Sequence, residues 1–160
     1  MDDTTLTAAL EREHDEIDAG LEAFAAGLAE GGGDTSHLER AATALRRHIY
    51  LEEEFLFPPL RASGMLAPVL VILREHGEIW RTLDGLEREV RDTPTASDLV
   101  RELLTLLEEH NAKEEPIIYP EGDARLPDDV KTRLHEFIRE GSMPEGWVPA
   151  MADRQPGRST

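Results

Sequence analysis

The sequence predicts an all-α protein: an antiparallel four-helix bundle built from a duplicated helical hairpin, with a short fifth helix and a loose C-terminal tail. Three observations carry that prediction. Four long stretches repeat apolar residues at three- and four-residue steps, the period of an amphipathic helix. No stretch has the period-two alternation of a strand. Two short motifs recur at one shared offset of 62 residues, as a hairpin used twice would give. Short loops between long helices make neighbours antiparallel. Residues 1–125 are assigned to the bundle, and 126–160 to a short C-terminal helix and flexible tail.

The first helix is expected from about Thr5 to Glu30, with Leu6, Leu10, His14, Ile17, Leu21, Phe24 and Leu28 on one stripe. Gly31-Gly32-Gly33 ends it, and Asp34, Thr35 or Ser36 offers a cap for the next. The second, about Ser36 to Leu60, turns Leu38, Ala41, Leu45, His48, Glu52, Phe55 and Leu56 inward until Pro58 and Pro59 disrupt its end. A third starts near Leu66, tolerates Pro68 in its first turn, and carries Val69, Ile72, Leu73, His76, Ile79, Leu83, Leu86 and Val90. Asp92-Thr93-Pro94-Thr95 then breaks the chain, and Thr95 or Ser97 can cap a fourth helix. That helix directs Leu99, Leu103, Leu106, Leu107, His110, Glu114, Ile117 and Ile118 inward and ends near Pro120. Pro116 removes a backbone donor inside it and should kink or unwind its last turns. A shorter helix, about Asp128 to Glu140, presents Val130, Leu134, Phe137 and Ile138, and beyond Gly141 only Trp147 is expected to dock.

Composition narrows the function classes. Asp and Glu outnumber Lys and Arg 34 to 17, a formal net charge of −17, which argues against nucleic acid and anionic membrane surfaces as partners. The chain has no cysteine, so disulfides, thiolate zinc sites and iron–sulfur clusters are excluded. Its acidic N-terminus lacks the basic and apolar regions of a signal peptide, and apolar runs such as Pro68 to Leu73 are too short to span a bilayer. A cytoplasmic protein is the expectation.

The chemistry lies in the repeat. Glu13-His14-Asp15-Glu16-Ile17 matches Glu75-His76-Gly77-Glu78-Ile79, and His48, Glu52 and Pro58 match His110, Glu114 and Pro120, all at the offset of 62. Each hairpin thus brings one single histidine and one His-x-x-x-Glu pair. Residues four apart lie about 40° apart around a helix, so each pair reaches one cluster. A lone histidine on an apolar face is ordinarily a hydrogen-bonded core residue. Four of them, one per helix, with two carboxylates, would bury many polar groups with few partners unless something binds them. The candidate metal ligands are His14, His48, Glu52, His76, His110 and Glu114. Two equivalent sets facing each other across a two-fold axis suit two metals, with carboxylates as bridges. Imidazole and carboxylate suit iron or manganese, and zinc less specifically.

Other residues are weighed against the same geometry. Glu53 and Glu54 rotate away from His48 and are expected on a solvated face. Glu13 and Glu75 are either exposed or orient a ligand. Glu114 is preferred because it reproduces the Glu52 spacing; Glu115 stays open, since Pro116 can distort that turn. Tyr50 and Tyr119 could donate hydrogen bonds, although Tyr50 faces away from His48. His37 and His135 fall outside the repeat.

The order His14, His48-x-x-x-Glu52, His76, His110-x-x-x-Glu114 resembles the hemerythrin-like family, the HHE cation-binding domain, over roughly Leu6 to Glu121. The resemblance implies a non-haem di-iron centre, two iron ions bridged by both carboxylates with a coordination position left open. Manganese or zinc are possible substitutes. Oxygen-carrying members use five histidines, two of them four apart on the third helix. Here Ile72 stands four before His76, so the chain looks more like the family's sensors, iron-responsive domains or peroxide-reactive members. The expected function is binding or sensing of oxygen, iron or redox state, with O2, peroxide or NO as the small ligand. The alternatives are a di-iron enzyme that disproportionates peroxide or reduces O2 or NO, and iron handling in which the site loads and releases metal.

Overall fold

The computed structural model describes residues 5–152, and within them every regular element is helical. Four long helices form the bundle: α1 (Leu6–Ala29), α2 (Ser36–Leu51), α4 (Leu66–Arg88) and α5 (Thr93–Lys113). Each of α2 and α5 continues through one π-helical turn, Glu52–Leu56 and Glu114–Ile118, into a short helix, α3 (Phe57–Ala62) and α6 (Tyr119–Arg125). A last helix, α7 (Asp128–Glu140), packs against α1 and the first π-helical turn. Helix α1 packs along α2 and α5, and α4 packs along α5 and touches α2. None of the described helices is long and apolar enough to cross a membrane.

The helix ends follow local chemistry. The Thr5 hydroxyl accepts from the Ala8 N–H, and Asp123 on α6 takes the Leu6 and Thr7 N–H groups at 2.8 and 3.1 Å, so a distant carboxylate completes the α1 cap. Asp92, rather than the expected Thr95 or Ser97, caps α5; Pro94 sits in its first turn, where no donor is needed. The two π-helical turns are the main departure from the expected helices. In each, the N–H of the sixth residue reaches back five positions, Phe57 to Glu52 and Tyr119 to Glu114. Pro58 and Pro120 come next and lack an N–H. Widening the turn before them moves aside the carbonyl their rings would strike. The helical path therefore runs past the prolines to Ala62 and Arg125 instead of ending at them.

The apolar stripes form two cores, one on either side of a polar layer. One gathers Ile17, Leu21, Phe24, Leu45, Ile79, Leu83, Leu103 and Leu107. The other gathers Leu6, Leu10, Leu56, Phe57, Val69, Ile72 and Ile118, with Leu134 and Phe137 from α7. Between them each long helix contributes one histidine, as between Leu10 and Ile17 on α1 and between Ile72 and Ile79 on α4. Ile117, expected inward, is 51% exposed, because the wider turn rotates it out.

The segment after α7 follows the bundle surface. Trp147 packs edge-on against Tyr50 and Trp80, and its indole N–H donates to Glu54 at 3.0 Å. Gly77 permits the close crossing of this segment: a Cβ there would lie 2.4 Å from the Met151 carbonyl oxygen. Residues 153–160 of the expected tail lie outside the described residues.

Candidate metal centre

The polar layer contains all six predicted residues. His14, His48, Glu52, His76, His110 and Glu114 are buried, the two glutamates completely. They form two clusters that share both carboxylates: His14, His48, Glu52 and Glu114, and Glu52, His76, His110 and Glu114. Each carboxylate gives one oxygen to each side. Glu52 places Oε2 3.1 Å from His48 Nε2 and Oε1 3.0 Å from His76 Nε2. Glu114 places Oε1 3.3 Å from His14 Nε2 and Oε2 3.1 Å from His110 Nε2.

All four imidazoles turn Nε2 inward because a carboxylate holds each Nδ1. The pairs are His14–Glu115 at 2.7 Å, His48–Glu13 at 2.7 Å, His76–Glu53 at 2.8 Å and His110–Glu75 at 2.9 Å. A carboxylate is an acceptor, so Nδ1 carries the proton and the Nε2 lone pair is available to a metal. These partners obey the same offset of 62: Glu13 matches Glu75, and Glu53 matches Glu115. Glu13 is braced by Arg47 at 3.2 Å, and Glu75 by Lys113 at 2.6 Å. Glu53 is a correction to the expected solvated face: its side chain is 5% exposed and also accepts the Ala150 N–H at 3.0 Å. Of the two glutamates left open by the sequence, Glu114 belongs to both clusters and Glu115 accepts from His14 Nδ1.

Charge balance in the layer favours a cation. Burial alone would lower the His48 pKa, but Glu52 and Glu13 push it up to about 10. Burial likewise opposes the upward shifts of His76 and His110, which Glu114, Glu52, Glu53 and Glu75 impose. Glu114 is held well below the usual carboxylate range by His110, His14 and His76, against burial. In the metal-free protein protons on the rings compensate the carboxylates. A metal can take that role if the donors converge on a point, and they do. Glu52 Oε1, Glu114 Oε2 and His76 Nε2 are buried without a hydrogen-bond partner among the described residues. His76 Nε2 approaches Glu52 Oε1 to 3.0 Å, yet the two atoms are not aligned as donor and acceptor. Unsatisfied polar atoms aimed at a common centre fit a coordinated ion.

Tyr119 was the residue that sequence reasoning undervalued. It is fully buried, and its hydroxyl lies 2.8 Å from His14 Nε2, 2.9 Å from Glu114 Oε1 and 3.1 Å from His48 Nε2, and contacts Glu52 Oε2. Ideal α-helical phase turns residue i+5 about 140° from residue i, whereas the π-helical turn stacks Tyr119 over Glu114. Tyr50 stays away from the layer, packed against Phe55, Phe137 and Trp147. Ile72 lies in the apolar core beside the layer, and His37 lies at the exposed start of α2, bonded to Arg40. A cavity of about 10 Å³ adjoins the four histidines, with Asp18 and Asn111 at its polar edge.

Comparison with known proteins agrees with this geometry. The family described as Hemerythrin HHE cation binding domain matches residues 4–121. Searches among characterised proteins and among solved structures gave no match. A bundle with two His/Glu clusters sharing two carboxylates, matched to that domain over most of its length, places the chain in the hemerythrin HHE cation-binding family.

Proposed function

We propose that the chain holds a non-haem di-iron centre and uses it to bind or sense a small ligand such as O2, peroxide or NO. His14 and His48 serve one iron, His76 and His110 the other, and Glu52 and Glu114 bridge the two. The observation that carries this reading is the sharing of both carboxylates, one oxygen of each beside each histidine pair. Bridging carboxylates and imidazoles are oxygen and nitrogen donors suited to iron, and bundle cores commonly support such pairs. Bound there, iron would supply reversible electron transfer and an open coordination position.

The chain's own residues supply the rest. Glu115, Glu13, Glu53 and Glu75 fix the tautomer and orientation of the four rings. The two apolar cores keep bulk water from the layer. The adjoining cavity of about 10 Å³ has room for one water-sized molecule, which favours diatomic or peroxide-sized ligands over larger substrates.

Iron analysis of aerobically purified protein, combined with oxygen cycling and peroxide addition, tests the reading. Two irons per chain and a spectrum that changes reversibly with oxygen or peroxide are expected. Absence of bound iron after expression with iron available contradicts it, and rapid gas evolution from peroxide redirects it to catalysis.

A further inference from the structure

We infer that Tyr119 is a ligand of the metal held by His14 and His48, which makes the two half-sites chemically unequal. The inference rests on the di-metal reading above. All four donor atoms of the first cluster surround one oxygen, the Tyr119 hydroxyl. A phenol has one proton to give. Facing it are two carboxylate oxygens and the Nε2 atoms of His14 and His48, whose Nδ1 protons are committed to Glu115 and Glu13. Even with a proton on His48 Nε2, the single phenol proton faces three acceptors, and a cation beside the oxygen satisfies them together.

The second cluster shows what the same design looks like without a hydroxyl. Its counterpart at the offset of 62 is Phe57, whose ring stacks on His76 at 5.6 Å. There the orphaned atoms remain: Glu52 Oε1, Glu114 Oε2 and His76 Nε2 have no hydrogen-bond partner among the described residues. Tyr119 is also held in place by the backbone, since the π-helical turn that ends with its N–H on the Glu114 carbonyl stacks the two side chains.

A phenolate oxygen is a hard anionic donor matched to ferric iron. On metal binding the O–Fe bond replaces the O–H bond, and the proton leaves to solvent, as ligand protons generally do. The His14–His48 metal then has five side-chain donors and the His76–His110 metal four. The His76–His110 side, with fewer side-chain donors, would therefore be the one left to accept an outside ligand.

The test compares wild type with Tyr119→Phe, each loaded with iron under air and, separately, with zinc. Wild type with two irons per chain should show a phenolate-to-iron(III) charge-transfer band in the visible, with tyrosine ring modes enhanced in resonance Raman. Its zinc form should show the ultraviolet difference spectrum of one ionised phenol. Tyr119→Phe should lose all three signals and keep its bundle by circular dichroism. Wild type that holds two irons without the band overturns the inference and leaves the di-iron reading standing. Signals that persist in Tyr119→Phe also overturn it. Failure of wild type to bind either metal overturns both.

Discussion

In the first hairpin the π-helical turn leads into Phe57, and in the second it leads into Tyr119. Around that difference nearly every charged group is kept: His14 with His76, His48 with His110, Glu52 with Glu114, Glu13 with Glu75, and Glu53 with Glu115. The faces have diverged further. Asp18 and Asn111 edge the histidine cavity where α1 meets α5, and the groove outside carries Asp15, Glu22, Glu108 and Glu115. Their counterparts at the same offset are Trp80 and Ile49, and Trp147 covers Trp80. Duplication has kept the residues of the two clusters and the carboxylates on their Nδ1 atoms. Divergence has acted on what fills the space beside each half-site and on which face stays polar.

The comparison breaks most completely at the shared residues. Because Glu52 and Glu114 each serve both clusters, Glu52→Ala or Glu114→Ala should lose both metals, whereas His14→Ala or His110→Ala should lose one. Iron per chain, measured alongside circular dichroism, separates these outcomes. Equal losses for all four variants would contradict the shared geometry.

The next effect is smaller and should be symmetric. Glu53→Ala and Glu115→Ala remove matching Nδ1 partners and should each weaken metal binding about 10- to 100-fold. Competition with a chelator measures it. A loss in one half alone would show that the orienting carboxylates, unlike the ligands, have diverged in role.

The extent to which sequence revealed this centre has a physical explanation. The bundle was legible because apolar stripes need only the helical period. The six converging residues were legible because two motifs shared one offset. Glu53 and Ile117 were misjudged for a common reason: both were placed by ideal α-helical phase, and both lie within a π-helical turn; Tyr119, read only as a hydrogen-bond donor, follows the second of these turns. Pro116 signalled distortion in the second turn, but nothing as local marked the first, where the nearest prolines, Pro58 and Pro59, follow the turn. The repeated Pro58 and Pro120, each six residues after a buried glutamate, were the available sign that both turns are widened alike.

Proton competition gives a third handle. Folding raises the His48 pKa from 6.5 to about 10. In metal-free protein the stabilisation from this charged ring is complete below about pH 6.5 and is lost as pH rises through about 10. The melting temperature of the metal-free form should fall across that window. The loaded form, with Nε2 engaged, should not follow it. The converse holds for binding: metal affinity should rise with pH over the same range, as the competing proton leaves. Parallel pH dependence of the two forms would show that His48 is not displaced by metal.

The smallest effect concerns the docked C-terminal segment. Gly77→Ala sets a methyl group against the Met151 carbonyl and should release residues 147–152 from α4. The bundle should keep its helicity by circular dichroism, while limited proteolysis of the segment accelerates. An unchanged cleavage rate would show that the crossing adapts without detaching.

The most direct measurement is the iron content of wild type and Glu52→Ala, prepared side by side and checked for fold. Two irons per chain in wild type and almost none in the variant are predicted. One iron in wild type, or two retained without Glu52, would contradict a centre in which this carboxylate joins two metals.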